Sequence, residues 1–103
     1  LIASLRLDTK KPWAIDLKYF SASRKPLYLL AIAVHPDWQR KGIGRLCIDE
    51  VKRIGKSMPA DAIRLDAYDA EAGAGEFYSK CGFQKVGRAS YINCPLIYFE
   101  MLL

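Results

Sequence analysis

Residues 27–44 read Leu-Tyr-Leu-Leu-Ala-Ile-Ala-Val-His-Pro-Asp-Trp-Gln-Arg-Lys-Gly-Ile-Gly. Leu27 to Val34 is an unbroken apolar run, which predicts a strand buried on both faces at the centre of a sheet. His35-Pro36-Asp37 ends it, because proline cannot donate to a ladder. Past the glycines the period changes. Ile43, Leu46, Cys47, Val51 and Ile54 recur at steps of three and four, which predicts an amphipathic helix. Arg45 with Asp49, and Asp49 with Arg53, are expected as i,i+4 pairs on its wet side. Gly55 and then Met58-Pro59 are its expected stop. Strand, glycine loop, helix is the order that decides the fold.

Outward from this stretch the period is two. Upstream, Leu1, Ala3, Leu5 and Leu7 alternate with Ile2, Ser4, Arg6 and Asp8, which predicts a strand with one core face. Thr9 to Pro12 reads as a turn, Trp13 to Phe20 as an irregular connection, and Ser21 to Pro26 as a polar break. Downstream, Ile63, Leu65 and Ala67 alternate with Arg64, Asp66 and Tyr68. This strand follows strand and helix, so it is expected to run parallel to Leu27–Val34. Asp69 to Gly75 is rich in small residues. Glu76 to Cys81 predicts a short helix, with Gly82 as a left-handed cap and Phe83 packing back on Phe77 or Tyr78. Gln84–Arg88 and Leu96–Leu103 predict two final strands, antiparallel to each other, around a generic loop at Ala89–Pro95. The expected class is α/β (α+β) with a mixed central sheet.

The chain has 103 residues, 51% hydrophobic and 26% charged. That suits one globular domain and excludes a disordered chain. No apolar run approaches the roughly 20 residues a bilayer span needs. Leu1–Asp8 lacks the basic-then-apolar layout of a secretory leader, so a cytoplasmic protein is expected. The chain starts at Leu1, inside a strand pattern, and the polypeptide is expected to extend upstream. Cys47, Cys81 and Cys94 with the single His35 make no metal-ligand spacing, so reduced thiols and no metal are expected.

Sixteen basic against eleven acidic residues give a net charge of +5. A surplus of this size attracts anions. The basic residues are scattered and show no nucleic-acid reading motif, so a nucleic acid is a distant third expectation. One focused phosphate site fits better. A helix N-terminus carries unpaired amides and partial positive charge, and Gly42 and Gly44 let a ligand approach them. Arg40, Lys41 and Arg45 add charge at the same place. Arg45-Leu46 after Gly44 lacks the Lys-Ser or Lys-Thr of a Walker loop, and the third glycine of a dinucleotide fingerprint is absent. Read alone, Gly-Ile-Gly is equally a softened turn entering a helix.

Gln39-Arg40-Lys41-Gly42-Ile43-Gly44 resembles the Gln/Arg-x-x-Gly-x-Gly/Ala signature of the GNAT (GCN5-related N-acetyltransferase) superfamily. Ala74 with Phe77-Tyr78-Ser79-Lys80-Cys81-Gly82-Phe83 is similar to that family's second motif, in the right order and at the right separation. The likeness covers residues 27–88 by motif and the rest by architecture. It implies a sheet whose two parallel strands splay apart, and a single domain over 1–103 that is N-terminally incomplete. It also implies acetyl-CoA as cosubstrate. The backbone of Ile32, Ala33 and Val34 would hold the pantetheine arm, and the amides of Arg40 to Arg45 the pyrophosphate. An amine acceptor, unidentified, would attack the thioester directly in a ternary complex, with backbone N–H groups near the strand end polarising the carbonyl.

The same likeness places Tyr78 where many members have the acid that protonates the leaving thiolate; packing against the cosubstrate and Phe83 is its other reading. Glu71 stands where members often have Asn, and Tyr28 where some have a catalytic glutamate. Asp66 and His35 therefore remain the candidates for the base, Asp66 also reading as a solvent-facing strand residue. Trp13, Tyr19 and Phe20 read as core or as acceptor-cleft walls. An acyl-CoA-binding module without turnover is the alternative function, and a homodimer is left open.

Overall fold

A computed structural model of the chain describes residues 2–11, 17–69 and 75–103, the side chain of Tyr91 excepted. The alternating start forms β1 (Ala3–Asp8), and its leucines face inward. The apolar run forms β2 (Pro26–Val34) and the 3.6-period segment α1 (Ile43–Ser57). Then come β3 (Ala62–Tyr68), α2 (Gly75–Lys80), β4 (Gln84–Tyr91) and β5 (Cys94–Leu102). The strands lie in the order β1-β2-β3-β5-β4. β2 and β3 are parallel and the other neighbours antiparallel. This is the mixed α/β sheet expected.

Leu29, Leu65 and Phe99 on one sheet face pack with Ile48 and Val51 of α1 and with Phe77, Tyr78 and Cys81 around α2. Both helices therefore cover the same face. The other face carries Tyr28 and Tyr98 under Tyr19 and Phe20, which belong to the β1–β2 connection. That connection lies across the sheet as far as β4, where the Tyr19 ring presses on Gly87.

Several local expectations are corrected. β2 is buried on both faces only at Leu27–Leu29; Ala31 and Ala33 are exposed. Both point to the sheet face away from the helices, and neither packs into the Tyr28–Tyr98 cluster that covers part of that face. On α1, Leu46 is 62% exposed, and the buried stripe runs through Ile48, Val51 and Gly55. Gly55 does not stop the helix; it lies against Leu103 and Leu27, and Met58 is the cap. The i,i+4 pairs do not form among the described residues. Arg53 pairs with Glu50, and Arg45 donates to the carbonyl of Lys80 at 3.4 Å. The Ala89–Pro95 segment is a tight hairpin turned at Ile92-Asn93, both with positive φ. Trp13, Glu71, Gly73 and Ala74 lie outside the described residues.

The α2 cap forms as its sequence requires. Gly82 has φ +98°, Phe83 N donates to Tyr78 O at 3.1 Å, and Gly82 N to Ser79 O at 3.1 Å. These are the two bonds of a Schellman motif. They bring the Phe83 ring edge-on to Tyr78, with centroids 5.7 Å apart.

Candidate active site

The ladder between β2 and β3 has only three pairs, Pro26↔Ala62, Leu27↔Ile63 and Tyr28↔Arg64. Beyond Tyr28 the two strands part. β2 stays with β1 and β3 with β5, so their facing backbone edges line an open slot. A bulge helps to turn β2 away. Opposite β1, Arg6 pairs with Ala31 and Leu7 with Leu29, which leaves Leu30 as the extra residue. An inserted residue bends and twists its strand. After the bulge, Ile32 and Val34 point to the helix face, and Ala31 and Ala33 to the other.

A cleft of about 830 Å³ opens on the helix face of this slot. β2 supplies Ile32 and Val34, and the following turn Trp38, Gln39 and Arg40. The start of α1 supplies Gly42, Gly44 and Arg45; α2 and its cap supply Phe77, Tyr78, Lys80 and Cys81. The charged lining residues are all cations: Arg40, Arg45 and Lys80. Gly42, with φ +80°, begins α1 without any side-chain cap. The first helical amides have no intrahelical acceptor, so they face the cleft rim as donors. The two glycines differ in purpose. Gly42 supplies the left-handed turn, with nothing near its absent Cβ, whereas a Cβ on Gly44 would come within 3.1 Å of the Phe77 ring. Close packing of α1 on α2 thus requires Gly44.

Gln39 is tied back to the strand end, its Nε2 donating to Val34 O at 3.1 Å. Ala33, Lys41, Ile43 and Asp66 do not line the cleft with their side chains. Ala33 points to the opposite face, Lys41 lies over the Trp38 ring at 5.2 Å, and Ile43 is half-buried. Tyr78 is packed among the rings of Phe77, Phe83 and Phe99, with centroids 5.3 to 5.7 Å away. Burial, and then the nearby Cys81 and Asp66, push its phenol above the ordinary range. It is protonated at neutral pH and can donate.

Asp66 alternates with the core residues Leu65 and Ala67, so it faces away from the helices. Burial raises its carboxyl above the ordinary value. It has no cationic partner among the described residues. Its negative charge adds to the rise of the Tyr78 phenol. His35 is a cap: its Nδ1 accepts from Asp37 N at 3.2 Å. Tyr28 is 2% exposed, and its hydroxyl accepts from Arg64 Nη1 at 3.2 Å. Neither of these reaches the cleft.

Sequence reasoning missed Trp38, Phe77, Lys80 and Cys81 as cleft walls. It also missed the role of Arg64, whose alternation reads as solvent-facing. Arg64 is 5% exposed and paired with Glu100, itself 4% exposed, at 3.2 Å. A single carboxylate inside the apolar Leu96–Leu103 run was the available signal for this pair.

The sequence model of the family described as "Acetyltransferase (GNAT) domain" matches residues 13–85. A glucosamine 6-phosphate N-acetyltransferase of Schizosaccharomyces pombe is 38% identical over 56 residues, which are 54% of this chain and 48% of that protein. The chain thus spans about half the length of the curated relative it matches. Among solved structures, a Bacillus subtilis acetyltransferase in complex with CoA superposes with TM-score 0.77 at 18% identity, covering 100% of this chain and 70% of that one. A GNAT-family acetyltransferase of Listeria monocytogenes gives 0.76 at 19% identity, covering 100% and 58%.

Proposed function

Because the chain belongs to the GNAT acetyltransferase family, we propose that it moves the acetyl group of acetyl-CoA to a primary amine by direct attack in a ternary complex. The observation that carries this reading is the slot between β2 and β3, which opens onto a cleft walled by cations and α1 amides. The pantetheine arm would pair with the free edge of β2 at Ile32 to Val34. The pyrophosphate would take the amides of residues 40–45 and the charges of Arg40 and Arg45. An N–H freed where β2 bulges and leaves β3 would hold the carbonyl oxygen as negative charge develops there.

The acceptor would come from the Asp66 side. Its ammonium loses a proton to the Asp66 carboxylate, directly or through water, and the free nitrogen attacks the carbonyl carbon. The C–S bond breaks as the C–N bond forms, the departing thiolate takes the Tyr78 proton, and the proton that the nitrogen sheds as the amide forms passes through water to restore the phenol. At neutral pH the buried phenol carries the proton that this step needs.

The test is a thermal-shift titration with CoA and acetyl-CoA, followed by thiol release over an amine panel. The likeness to a glucosamine 6-phosphate N-acetyltransferase puts amino-sugar phosphates first in that panel. Tyr78→Phe keeps all three ring contacts, so it should bind CoA and melt as the parent does, yet release thiol about 10²-fold or more slowly. Unchanged turnover would remove the acid role. Absence of any shift with CoA would overturn the function, and binding without turnover on any amine would leave an acyl-CoA-binding module.

A further inference from the structure

We propose that Arg6 and Asp66 border a basin for a zwitterionic acceptor, a small amine that also carries an oxyanion, with the anion on Arg6 and the ammonium on Asp66. This rests on the acetyl-transfer reading above and deepens it by naming the class of acceptor. Arg6 is then a specificity residue, outside the chemistry itself.

The basin lies on the sheet face away from the helices. Among the described residues, the β1–β2 connection covers only the closed end of the slot on that face. Tyr19 and Phe20 lie over Tyr28 and Tyr98, and Leu30 is the farthest β2 side chain in that cluster. Beyond it the floor is Ala31 and Ala33, both small and exposed. Arg6 pairs with Ala31 and Ser4 with Ala33, so β1 borders this floor with those two side chains. Asp66 borders it from β3. Ala31 lies three residues past the last ladder pair, one of them the bulge, and Asp66 lies two past it. Arg6, Ala31 and Asp66 therefore share one level of the sheet.

Both charges are unspent. Arg6 makes no ion pair and no side-chain hydrogen bond among the described residues, and Asp66 has no cation there. Asp8, next on the same face of β1, accepts from Lys10 N at 2.9 Å and stands opposite Tyr28, toward the closed end. Neighbouring strands lie about 4.8 Å apart, so with β2 between them the Arg6 and Asp66 backbones are separated by about 10 Å or more. The parting of β2 from β3 widens that gap. Opposite charges held apart over a small-residue floor match a ligand whose own charges are opposite and a few bonds apart. Asp66 is half-buried, so its pull on an ammonium is screened less than at an open surface. The planar fork of Arg6 suits an oxyanion, which it can hold through two bonds. The same pair selects against a polyamine, because Arg6 repels a second ammonium.

Steady-state kinetics over acceptors matched with and without the anion test this. The pairs are glucosamine 6-phosphate with glucosamine, phosphoethanolamine with ethanolamine, and alanine with alaninamide; spermidine is the polycation. In the pair turned over best, the anionic member should have the higher kcat/KM by about tenfold or more, the scale of one charge-assisted contact. Which pair that is tells phosphate from carboxylate. Arg6→Gln should raise the KM of the anionic member about tenfold or more, leaving its kcat, the uncharged member and CoA binding unmoved. Arg6→Lys should restore part of the loss. Arg24→Gln removes an exposed cation just before β2, beside the closed end, and should change nothing. An uncharged amine or spermidine as the best acceptor would overturn the proposal. So would an Arg6→Gln loss that is shared by both members of the pair, matched by Arg24→Gln, or accompanied by weaker CoA binding. CoA binding without turnover of any acceptor would overturn it too. Failure of the unsubstituted chain to bind CoA would bring down the acetyl-transfer reading along with it.

Discussion

Replacing Arg64 by Met probes the point from which the slot opens. Tyr28↔Arg64 is the last pair of the parallel ladder, and the two side chains are bonded to each other as well. Arg64 Nε donates to Glu100 Oε2 at 3.2 Å, Nη1 to the Tyr28 hydroxyl at 3.2 Å, and Nη2 to Ser21 O at 2.6 Å. The guanidinium also sits 4.9 Å from the Phe20 ring. Methionine fills a similar volume but leaves the 4%-exposed Glu100 carboxylate with Ser21 N, at 3.2 Å, as its remaining partner among the described residues. Breaking one side of a buried pair costs about 3–5 kcal/mol. At about 5 °C per kcal/mol for a domain of this size, the melting temperature should fall by roughly 15–25 °C. Arg64→Met with Glu100→Met removes both charges and should recover most of that loss, because an apolar replacement of a whole buried pair is often neutral. Urea denaturation of the four proteins of the cycle, followed by circular dichroism, measures the coupling. A single-variant cost below about 1 kcal/mol, or strictly additive costs, would refute the reasoning.

Other consequences follow from the same geometry. Asp66→Asn should remove the acidic limb of the pH–rate profile, since the carboxylate must be charged to take the amine's proton; an unchanged limb would exclude Asp66 as the base. The same variant should melt above the parent at neutral pH and level with it at about pH 3, below the ordinary carboxylate range. The sign follows from burial: a carboxyl raised in the folded state contributes stability at low pH that is lost as pH rises through its folded value. Gly42→Ala meets no neighbour within 4 Å but must adopt φ +80°, so it should cost about 1–2 kcal/mol and weaken CoA as well. Gly87→Ala puts a Cβ about 2.8 Å from Tyr19 Cγ and should cost about 1–3 kcal/mol, part of which Tyr19→Ala restores.

The sheet and its two motifs were legible because each rests on local chemistry. Alternation at Ile63–Tyr68 and a run at Leu27–Val34 need only a face to bury. Gly82 before Phe83 announces a cap that closes within one turn. What was not legible depends on partners distant in sequence. Leu46 fits the helical period as well as Ile48 does, and only the placement of α1 on the sheet selects between them. Arg64 alternates like a wet residue, yet Glu100 and Ser21, 36 and 43 positions away, make its burial tolerable. The cleft residues of α2 belong to the same class. Phe77 faces Gly44 because two helices meet, which neither helix pattern states.

The slot itself joins these two kinds of information. Parallel strands buried under helices normally zip along their whole length, and an apolar β2 gives no local reason to stop at Tyr28. Three features stop it. Leu30 bulges and turns β2 toward β1. β5 pairs with β3 along its full length, from Ala62↔Leu102 to Tyr68↔Leu96, and holds it straight. The Arg64–Tyr28–Glu100 bonds fasten the closed end at the last ladder pair. One strand bends, its neighbour cannot follow, and the vertex between them is tied. The backbone groups exposed beyond that vertex need partners, because unpaired buried amides and carbonyls are costly. An extended amide chain such as a pantetheine arm supplies such partners in the ladder's own geometry. For the acyl-CoA site proposed above, the affinity for the arm would then be set at the vertex as much as at the cleft walls. Arg64→Met with Glu100→Met, folded but with its vertex untied, should therefore bind 4′-phosphopantetheine more weakly than the parent, and equal binding would show that the bulge and β5 hold the slot open without the tie.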